Sequence, residues 1–212
     1  MRFIISILLV SASLNANADA YINNNFKAKK GDPQACVSGS VGILKDPSFN
    51  KSYHGLALFI QESRPFGASK AMSSIEYIHN RPASKSNNYN DAYSFGDIFI
   101  ICLKPGTYNL VSLTMGDGIF KYSSVSPFDM PFTVESGKNI YIGSFTRNLG
   151  KPQKNCNDTS LQQFVQFTNE SQRDIPLIMA SKKRPSTTPS VSLLIPSNRN
   201  PYIVSCDSIL QN

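Results

Sequence analysis

Eight short segments of the chain are rich in β-branched and aromatic residues, and this series constrains the fold more than any other feature of the sequence. Such segments are typical of β-strands, and turn-forming residues separate nearly all of them. Several alternate between apolar and polar residues, which predicts that one face meets a core while the other meets water. The segments are 37–44, 56–61, 98–103, 108–113, 132–135, 139–145, 164–168 and 202–205.

This series predicts an all-β protein, an antiparallel β-sandwich of about seven or eight strands. Residues 173–183 are the exception and predict one short C-terminal helix, with Pro176 in its first turn and Lys182, Lys183 and Arg184 at its end. Residues 64–93 are rich in Ser, Asn and Lys and predict a long insertion loop.

No internal repeat or second core is visible, so residues 19–212 are expected to form a single domain. Its core is expected over 36–146, followed by a C-terminal extension over 147–212.

Residues 1–18 have the pattern of an export signal. Arg2 precedes an apolar stretch that ends at Leu14, and Ala16-Asn17-Ala18 supplies the small residues that a signal peptidase recognises. Cleavage after Ala18 would leave Asp19 as the first residue, whereas cleavage after Ala20 would leave Tyr21. The apolar stretch is too short to span a bilayer, and no cysteine precedes Cys36. The sequence therefore predicts an exported protein, periplasmic or secreted, that is soluble and not lipidated.

Four cysteines, Cys36, Cys102, Cys156 and Cys206, follow the export signal. An even number in an exported chain predicts two disulfides, and four cysteines allow three pairings. The pairs Cys36–Cys102 and Cys156–Cys206 are favoured here because each would connect neighbouring parts of the chain. A zinc site would need closely spaced cysteine pairs, and the smallest gap is 50 residues, so no metal and no cofactor is expected.

Two segments share a plan of strand, glycine-containing turn and strand. They read FIICLKPGTYNL over 99–110 and FTVESGKNIYIGSF over 132–145. Pro105 presets one dihedral angle of the first turn, and Gly106 permits a positive φ. Residues 36–146 thereby resemble exported bacterial proteins with a carboxypeptidase-regulatory-like, or transthyretin-like, β-sandwich. The resemblance implies a hairpin around the first turn and an accessory or binding role in the cell envelope.

The sequence contains no recognisable catalytic motif. The two histidines, His54 and His79, lie in no metal-binding spacing, and no G-x-S-x-G elbow is present to offer a nucleophilic serine. The acidic residues are scattered, although carboxylates that meet only in space would not be visible in a sequence. A non-enzymatic protein is predicted, and the alternative is a secreted hydrolase that uses His54 or buried carboxylates.

The formal net charge of +7 includes two basic clusters, Lys27, Lys29 and Lys30, and Lys182, Lys183 and Arg184. For an exported chain, the expected partner is an anionic envelope surface or an envelope protein rather than nucleic acid. The alternative is that both clusters are solvated and have no partner.

Loops on rigid sandwiches often carry recognition, which directs attention to the 64–93 insertion. Its aromatic residues are the candidate binding residues: Tyr77, Tyr89 and Tyr93.

Overall fold

The computed structural model describes residues 20–23, 35–45, 55–63, 72–78, 88–116, 121–124, 128–148, 164–196 and 202–205. The predicted export signal, His54, His79, Cys156 and Cys206 lie outside these ranges. The described residues form thirteen strands and one helix, which are β1 (Tyr21–Asn23), β2 (Ala35–Leu44), β3 (Gly55–Glu62), β4 (Met72–Ile78), β5 (Tyr89–Asn90), β6 (Ser94–Leu103), β7 (Gly106–Gly116), β8 (Lys121–Ser123), β9 (Met130–Val134), β10 (Ile140–Asn148), β11 (Phe164–Thr168), α1 (Ser171–Ala180), β12 (Ser190–Val191) and β13 (Ile203–Ser205).

The strands form two sheets that pack face to face. Sheet I has the order β1-β4-β3-β7-β8, with β9 also paired to β7, and every pair in it is antiparallel. Sheet II has the order β13-β11-β10-β2-β6-β5, with β12 beside β10. The predicted all-β sandwich is confirmed, and each of the eight predicted segments overlaps a strand.

The predicted sandwich is antiparallel, whereas sheet II also contains parallel pairs. Strand β10 pairs in parallel with β2 and with β12, and β11 pairs in parallel with β13. Strands β2 and β10 are about 100 residues apart along the chain, and the chain passes through sheet I between them. Such a long connection can return a strand in the same direction, which a tight hairpin cannot do.

The predicted hairpin around Pro105 and Gly106 is also corrected, because this turn connects the two sheets. Strand β6 lies in sheet II and β7 in sheet I, so the turn carries the chain across the sandwich. Gly106 does not have a positive φ, in contrast to Gly137 in the second predicted turn, whose φ is 72°. Tyr108 stabilises this turn, since its ring is buried and its hydroxyl donates a hydrogen bond to the carbonyl of Lys104 at 2.8 Å.

The main core fills the space between the sheets, where alternate residues of each strand point inward. On β6 these residues are Phe99, Ile101 and Leu103, which are at most 1% exposed. The rings of Phe145 and Phe167, on neighbouring strands β10 and β11, lie with their centroids 5.3 Å apart in a tilted arrangement. Burial of these side chains provides the main driving force for bringing the sheets together.

Helix α1 adds a third layer by covering part of the outer face of sheet II, the face turned away from sheet I. A second, smaller apolar cluster holds it there: Cys36, Ile98, Ile100, Tyr141 and Ile178. Cys36 and Cys102 lie opposite each other on β2 and β6 and form a disulfide, as predicted. A cross-link over 66 residues reduces the entropy of the unfolded chain enough to add about 4 kcal/mol of stability.

The 64–93 insertion is not simply a long loop. Residues 72–78 form β4 between β1 and β3 in sheet I, and residues 89–90 form β5 at the edge of sheet II. Ile75 and Tyr77 are each 1% exposed in the core, while Glu76 between them is only half-buried. The polar residues of this strand conceal its alternating pattern in the sequence.

The predicted helix is displaced by two to three residues. Helix α1 begins at Ser171 and ends at Ala180, and Pro176 lies in its second turn. The three basic residues predicted at its end, Lys182, Lys183 and Arg184, follow the helix and are exposed. Within the described ranges, no helix is long and apolar enough to cross a membrane.

Candidate functional site

A bulge in β10 prepares the outer face of sheet II for α1. The three residue steps of β10 from Tyr141 to Ser144 lie opposite only two steps of β2, from Ser38 to Ser40. Gly143 absorbs the extra residue with a φ of 126°, and a Cβ there would lie 2.2 Å from the ring of Phe167. The bulge directs the Ser144 hydroxyl outward, 2.8 Å from the hydroxyl of Ser40.

Asp174, in the first turn of α1, is fully buried against this face. Its Oδ2 accepts hydrogen bonds from the hydroxyls of Ser40 at 2.6 Å and Tyr141 at 2.7 Å. Burial, together with the negative charge of Asp174, raises the pKa of Tyr141, so the phenol remains a donor. These bonds supply the partners that a buried carboxylate requires.

Arg173, the residue before Asp174, connects the helix to three other elements. Its Nε donates to Asp174 Oδ1 at 2.7 Å and its Nη1 to Asp91 Oδ2 at 2.8 Å. Its Nη2 donates to the hydroxyls of Ser40 at 3.1 Å and Ser144 at 3.4 Å. Partial burial acts to lower the pKa of Arg173, but the hydrogen bond and charge of Asp174 outweigh it and raise that pKa, so the guanidinium stays charged.

A tyrosine lies beneath this guanidinium. The Cζ atom of Arg173 is 3.8 Å from the centroid of the Tyr89 ring, which is a cation–π contact. Tyr89 covers the cross-strand pair Gly42 and Gly96, where a Cβ would lie 2.2 Å and 2.5 Å from the tyrosine oxygen. Both positions therefore require glycine, because any side chain would displace Tyr89 and with it the support of Arg173.

Asp91 is held in place by the turn that follows it. Its Oδ1 accepts hydrogen bonds from the backbone N–H groups of Tyr93 at 2.8 Å and Ser94 at 2.7 Å, the arrangement of an Asx turn. Partial burial opposes ionisation, but these two bonds and the bond from Arg173 outweigh it and lower the pKa of Asp91. Lys45 reaches the same turn and donates to the carbonyl oxygen of Asp91.

A pocket of about 120 Å³ opens on the outer face of sheet II, between this turn and the first turn of α1. Its floor consists of polar side chains of β10 and β11, its wall includes Arg173, and the exposed ring of Tyr93 lies at its edge. The lining residues are Leu44, Asp91, Tyr93, Ser94, Ser144, Thr146, Gln166, Thr168, Glu170 and Arg173.

The pocket is suited to hydrogen bonding with a small ligand. The carboxylates of Asp91 and Asp174 are both engaged by Arg173, so neither is placed as a proton donor. Among the described residues, no group of three or more His, Cys, Asp or Glu side chains could hold a metal ion. The hydroxyl and amide groups of the floor can donate and accept hydrogen bonds.

The structure does not bring the three candidate tyrosines together at one surface. Tyr77 is 1% exposed in the core, where burial, with a smaller contribution from the charge of Asp97, raises its pKa. Tyr89 is 5% exposed beneath Arg173, and burial raises its pKa as well. Tyr93 is 72% exposed and is the one of the three that borders the pocket.

The residues of this site are far apart in the sequence. Asp91 and Arg173 are 82 residues apart, and Ser40 and Asp174 are 134 residues apart. The available signal was the run VSGSVG over 37–42, whose small outward residues leave room for a covering layer. The run predicts a strand, but by itself it does not predict a helix over that strand.

Comparison with known proteins finds no protein-family model, curated protein or solved structure that matches this chain. The resemblance to transthyretin-like sandwiches therefore stays a prediction, and the site is interpreted from its own geometry.

Proposed function

We propose that this protein is an exported, non-enzymatic binding module of the cell envelope, and that it holds its ligand in the pocket beside Arg173. The observation that carries the proposal is the convergence of polar side chains from sheet II, the 91–94 turn and α1 on one open cavity. Concave sites with a few fixed polar groups are where proteins usually bind small ligands.

The geometry around Arg173 supports binding because its groups are fixed before any ligand arrives. The guanidinium makes four hydrogen bonds and rests on the Tyr89 ring, so it loses little conformational freedom when it contacts a ligand. Its side chain remains 20% exposed, on the wall of the pocket.

The ionisation of the site supports a non-enzymatic role. A hydrolase that uses two carboxyl groups needs one with a raised pKa to donate a proton. The hydrogen bonds to Asp91 lower its pKa instead, and the buried Asp174 is enclosed by Ser40, Tyr141 and Arg173. The hydrolase alternative would rest on His54, which lies outside the described residues.

Export to the envelope is supported by three features. Residues 1–18 have the pattern of an export signal, the Cys36–Cys102 disulfide suits an oxidising compartment, and β1 begins only three residues after Ala18. Lys182, Lys183 and Arg184 are exposed just beyond α1, where they can be attracted to an anionic surface. The two-sheet sandwich is also compatible with the transthyretin-like family, which we retain as part of the proposal.

Retention of the mature protein by isolated cell envelopes tests the proposal. Thr168 lines the pocket on β11, so Thr168→Phe should fill the cavity without entering the core. The matched control is Thr133→Phe, at an exposed threonine of β9 in sheet I. We expect the wild type and the control to sediment with envelopes and Thr168→Phe to lose retention about tenfold, which corresponds to about 1.4 kcal/mol.

Thermal melts must first show that both variants fold. Equal retention of a folded Thr168→Phe variant and the wild type would exclude the pocket as the binding site. A wild-type protein that does not sediment with envelopes would refute the envelope role.

A further inference from the structure

We propose that the pocket takes a neutral, hydroxyl-rich unit, namely a single sugar ring at the end of a saccharide. This inference rests on the proposed binding function and names the chemical class of its ligand. It follows from the charge, the hydrogen-bonding groups, the size and the aromatic edge of the pocket.

The charge of the site disfavours an anion. Arg173 is the cation of the lining, and its charge is already compensated by Asp91 at 2.8 Å and Asp174 at 2.7 Å. Glu170, at the start of α1, adds a further acidic group to the wall. A phosphate, sulfate or carboxylate ligand would meet an excess of negative charge and would have to compete with two aspartates for one guanidinium.

The floor of the pocket disfavours an apolar ligand. Ser144, Thr146 and Gln166 are at most 6% exposed and face the cavity from adjacent strands β10 and β11. An apolar group placed over these side chains would displace water from the cavity and could not replace the hydrogen bonds that water makes to them. A sugar hydroxyl both donates and accepts, so a ring with several hydroxyls matches a floor of hydroxyl and amide groups.

The size of the pocket limits how much of a ligand can enter. A volume of about 120 Å³ is well below the roughly 300–1,000 Å³ of cavities that enclose drug-sized molecules. One ring or the edge of one ring fits this scale, and the remainder of a chain would stay outside. The open mouth of the pocket therefore suits the end of a polymer.

Tyr93 provides the surface on which such a ring can stack. Its side chain is 72% exposed at the edge of the pocket, while the Asx turn of Asp91 fixes its backbone. Tyrosine offers a rigid apolar face with a polar end at low entropic cost, which suits the C–H face of a sugar. An exposed aromatic ring beside buried hydroxyl and amide groups completes the recognition surface.

The test is a titration of the full mature protein, followed by backbone amide NMR. The neutral probes are free glucose, galactose, mannose and N-acetylglucosamine, and the charged probes are glucuronate, glucosamine and inorganic phosphate. We expect at least one neutral sugar to cause saturable shifts at Tyr93, Ser94 and Thr146, with a dissociation constant on the order of 1–10 mM. The charged probes should bind more weakly.

Two variants separate stacking from general effects on the fold. Tyr93→Ala should weaken binding of the neutral sugar about fivefold, because the stacking face is lost. Tyr122→Ala removes a tyrosine that is 42% exposed on β8 in sheet I, and it should leave the affinity unchanged.

Absence of saturable shifts with every neutral sugar up to roughly 50 mM would overturn the sugar proposal. If envelope retention still depended on Thr168, the binding function would stand while its ligand class changed. Tighter binding of glucuronate or phosphate than of any neutral sugar would assign the pocket to an anion. Tighter binding of glucosamine than of any neutral sugar would assign the pocket to a cationic ligand.

Discussion

The guanidinium of Arg173 lies between the ring of Tyr89 below it, at 3.8 Å, and the carboxylate of Asp91 beside it, at 2.8 Å. Tyr89 is in the edge strand β5 of sheet II and Asp91 follows it, whereas Arg173 belongs to the helix that covers the sheet. The single cation therefore fixes the edge of the sheet and the start of α1 relative to each other. Because the pocket lies between these two elements, its shape depends on this contact.

Replacing Arg173 should destabilise the protein. Arg173→Gln leaves the fully buried Asp174 without its cation, and loss of one partner of a buried pair costs about 3 kcal/mol. Urea unfolding of the wild type and the variant measures this loss as a difference in the free energy of unfolding. Arg184→Gln, at an exposed arginine beyond the helix, should change it by less than about 0.5 kcal/mol. Equal values for the two variants would mean that Asp174 does not depend on Arg173.

Two glycine-to-alanine variants should differ in their effect. At Gly42 a Cβ would lie 2.2 Å from the Tyr89 oxygen and 2.4 Å from the Phe95 carbonyl oxygen, so Gly42→Ala should cost about 2–3 kcal/mol. At Gly106 the nearest atom would be 3.6 Å away and φ is not positive, so Gly106→Ala should be neutral or should stabilise by about 0.5 kcal/mol. Thermal melts of both variants test the difference. A Gly42→Ala protein as stable as the wild type would show that Tyr89 does not occupy this position.

Protonation of Asp91 should lower the free energy of unfolding in acid. The pKa of Asp91 is lowered in the folded state, so the unfolded chain takes up a proton at higher pH than the folded chain does. The stabilising contribution is therefore complete above the ordinary carboxyl pKa of about 4 and is lost as the pH falls through the lower, folded value. Urea unfolding between about pH 5 and pH 2 measures this loss.

The Asp91→Asn variant isolates this contribution. Its side-chain oxygen can still accept hydrogen bonds from the backbone of Tyr93 and Ser94, but it has no charge to titrate. We expect a smaller dependence of the unfolding free energy on pH in this variant. An unchanged dependence would assign the acid sensitivity to other carboxyl groups.

Processing of the predicted export signal should leave Asp19 as the first residue. The backbone N–H of Ala20 donates to the carbonyl of Ile98 at 3.1 Å, and the side chain of Ala20 is 3% exposed in the core. A mature chain that lacked Ala20 would lose both interactions, so cleavage after Ala18 is expected. The intact mass of the exported protein distinguishes the two sites, and a mass beginning at Tyr21 would contradict the prediction.

The sandwich could be predicted because each strand contains its own local pattern of apolar and polar residues. In β9 and β3 apolar residues alternate with less buried ones, and this pattern depends only on neighbouring residues. Strand β4 escaped prediction because Ser73 and Ser74 are buried in it, although serines usually indicate exposure. The pairing of β2 with β10 could not be predicted, because no local sequence pattern specifies a partner strand about 100 residues away.

The site was harder to predict than the fold for the same reason. Asp91 lies in the segment predicted as an insertion loop and Arg173 in the segment predicted as a helix, and both predictions concern local structure. Their contact depends on how α1 lies over sheet II, which is set by Ile178, Tyr141 and the bulge at Gly143. A site formed by a contact between distant segments cannot be predicted from the sequence of either segment alone.

The parallel pair of β2 and β10 also determines the order in which the protein can fold. Strand β2 lies in the middle of sheet II, yet its second neighbour ends at Asn148, long after β2 itself has been synthesised. Contacts between such distant segments form slowly, because a large loop must close before they form. Sheet II therefore stays incomplete until β10 has been synthesised. If the chain is exported as its sequence predicts, this late pairing would keep it unfolded while it crosses a membrane.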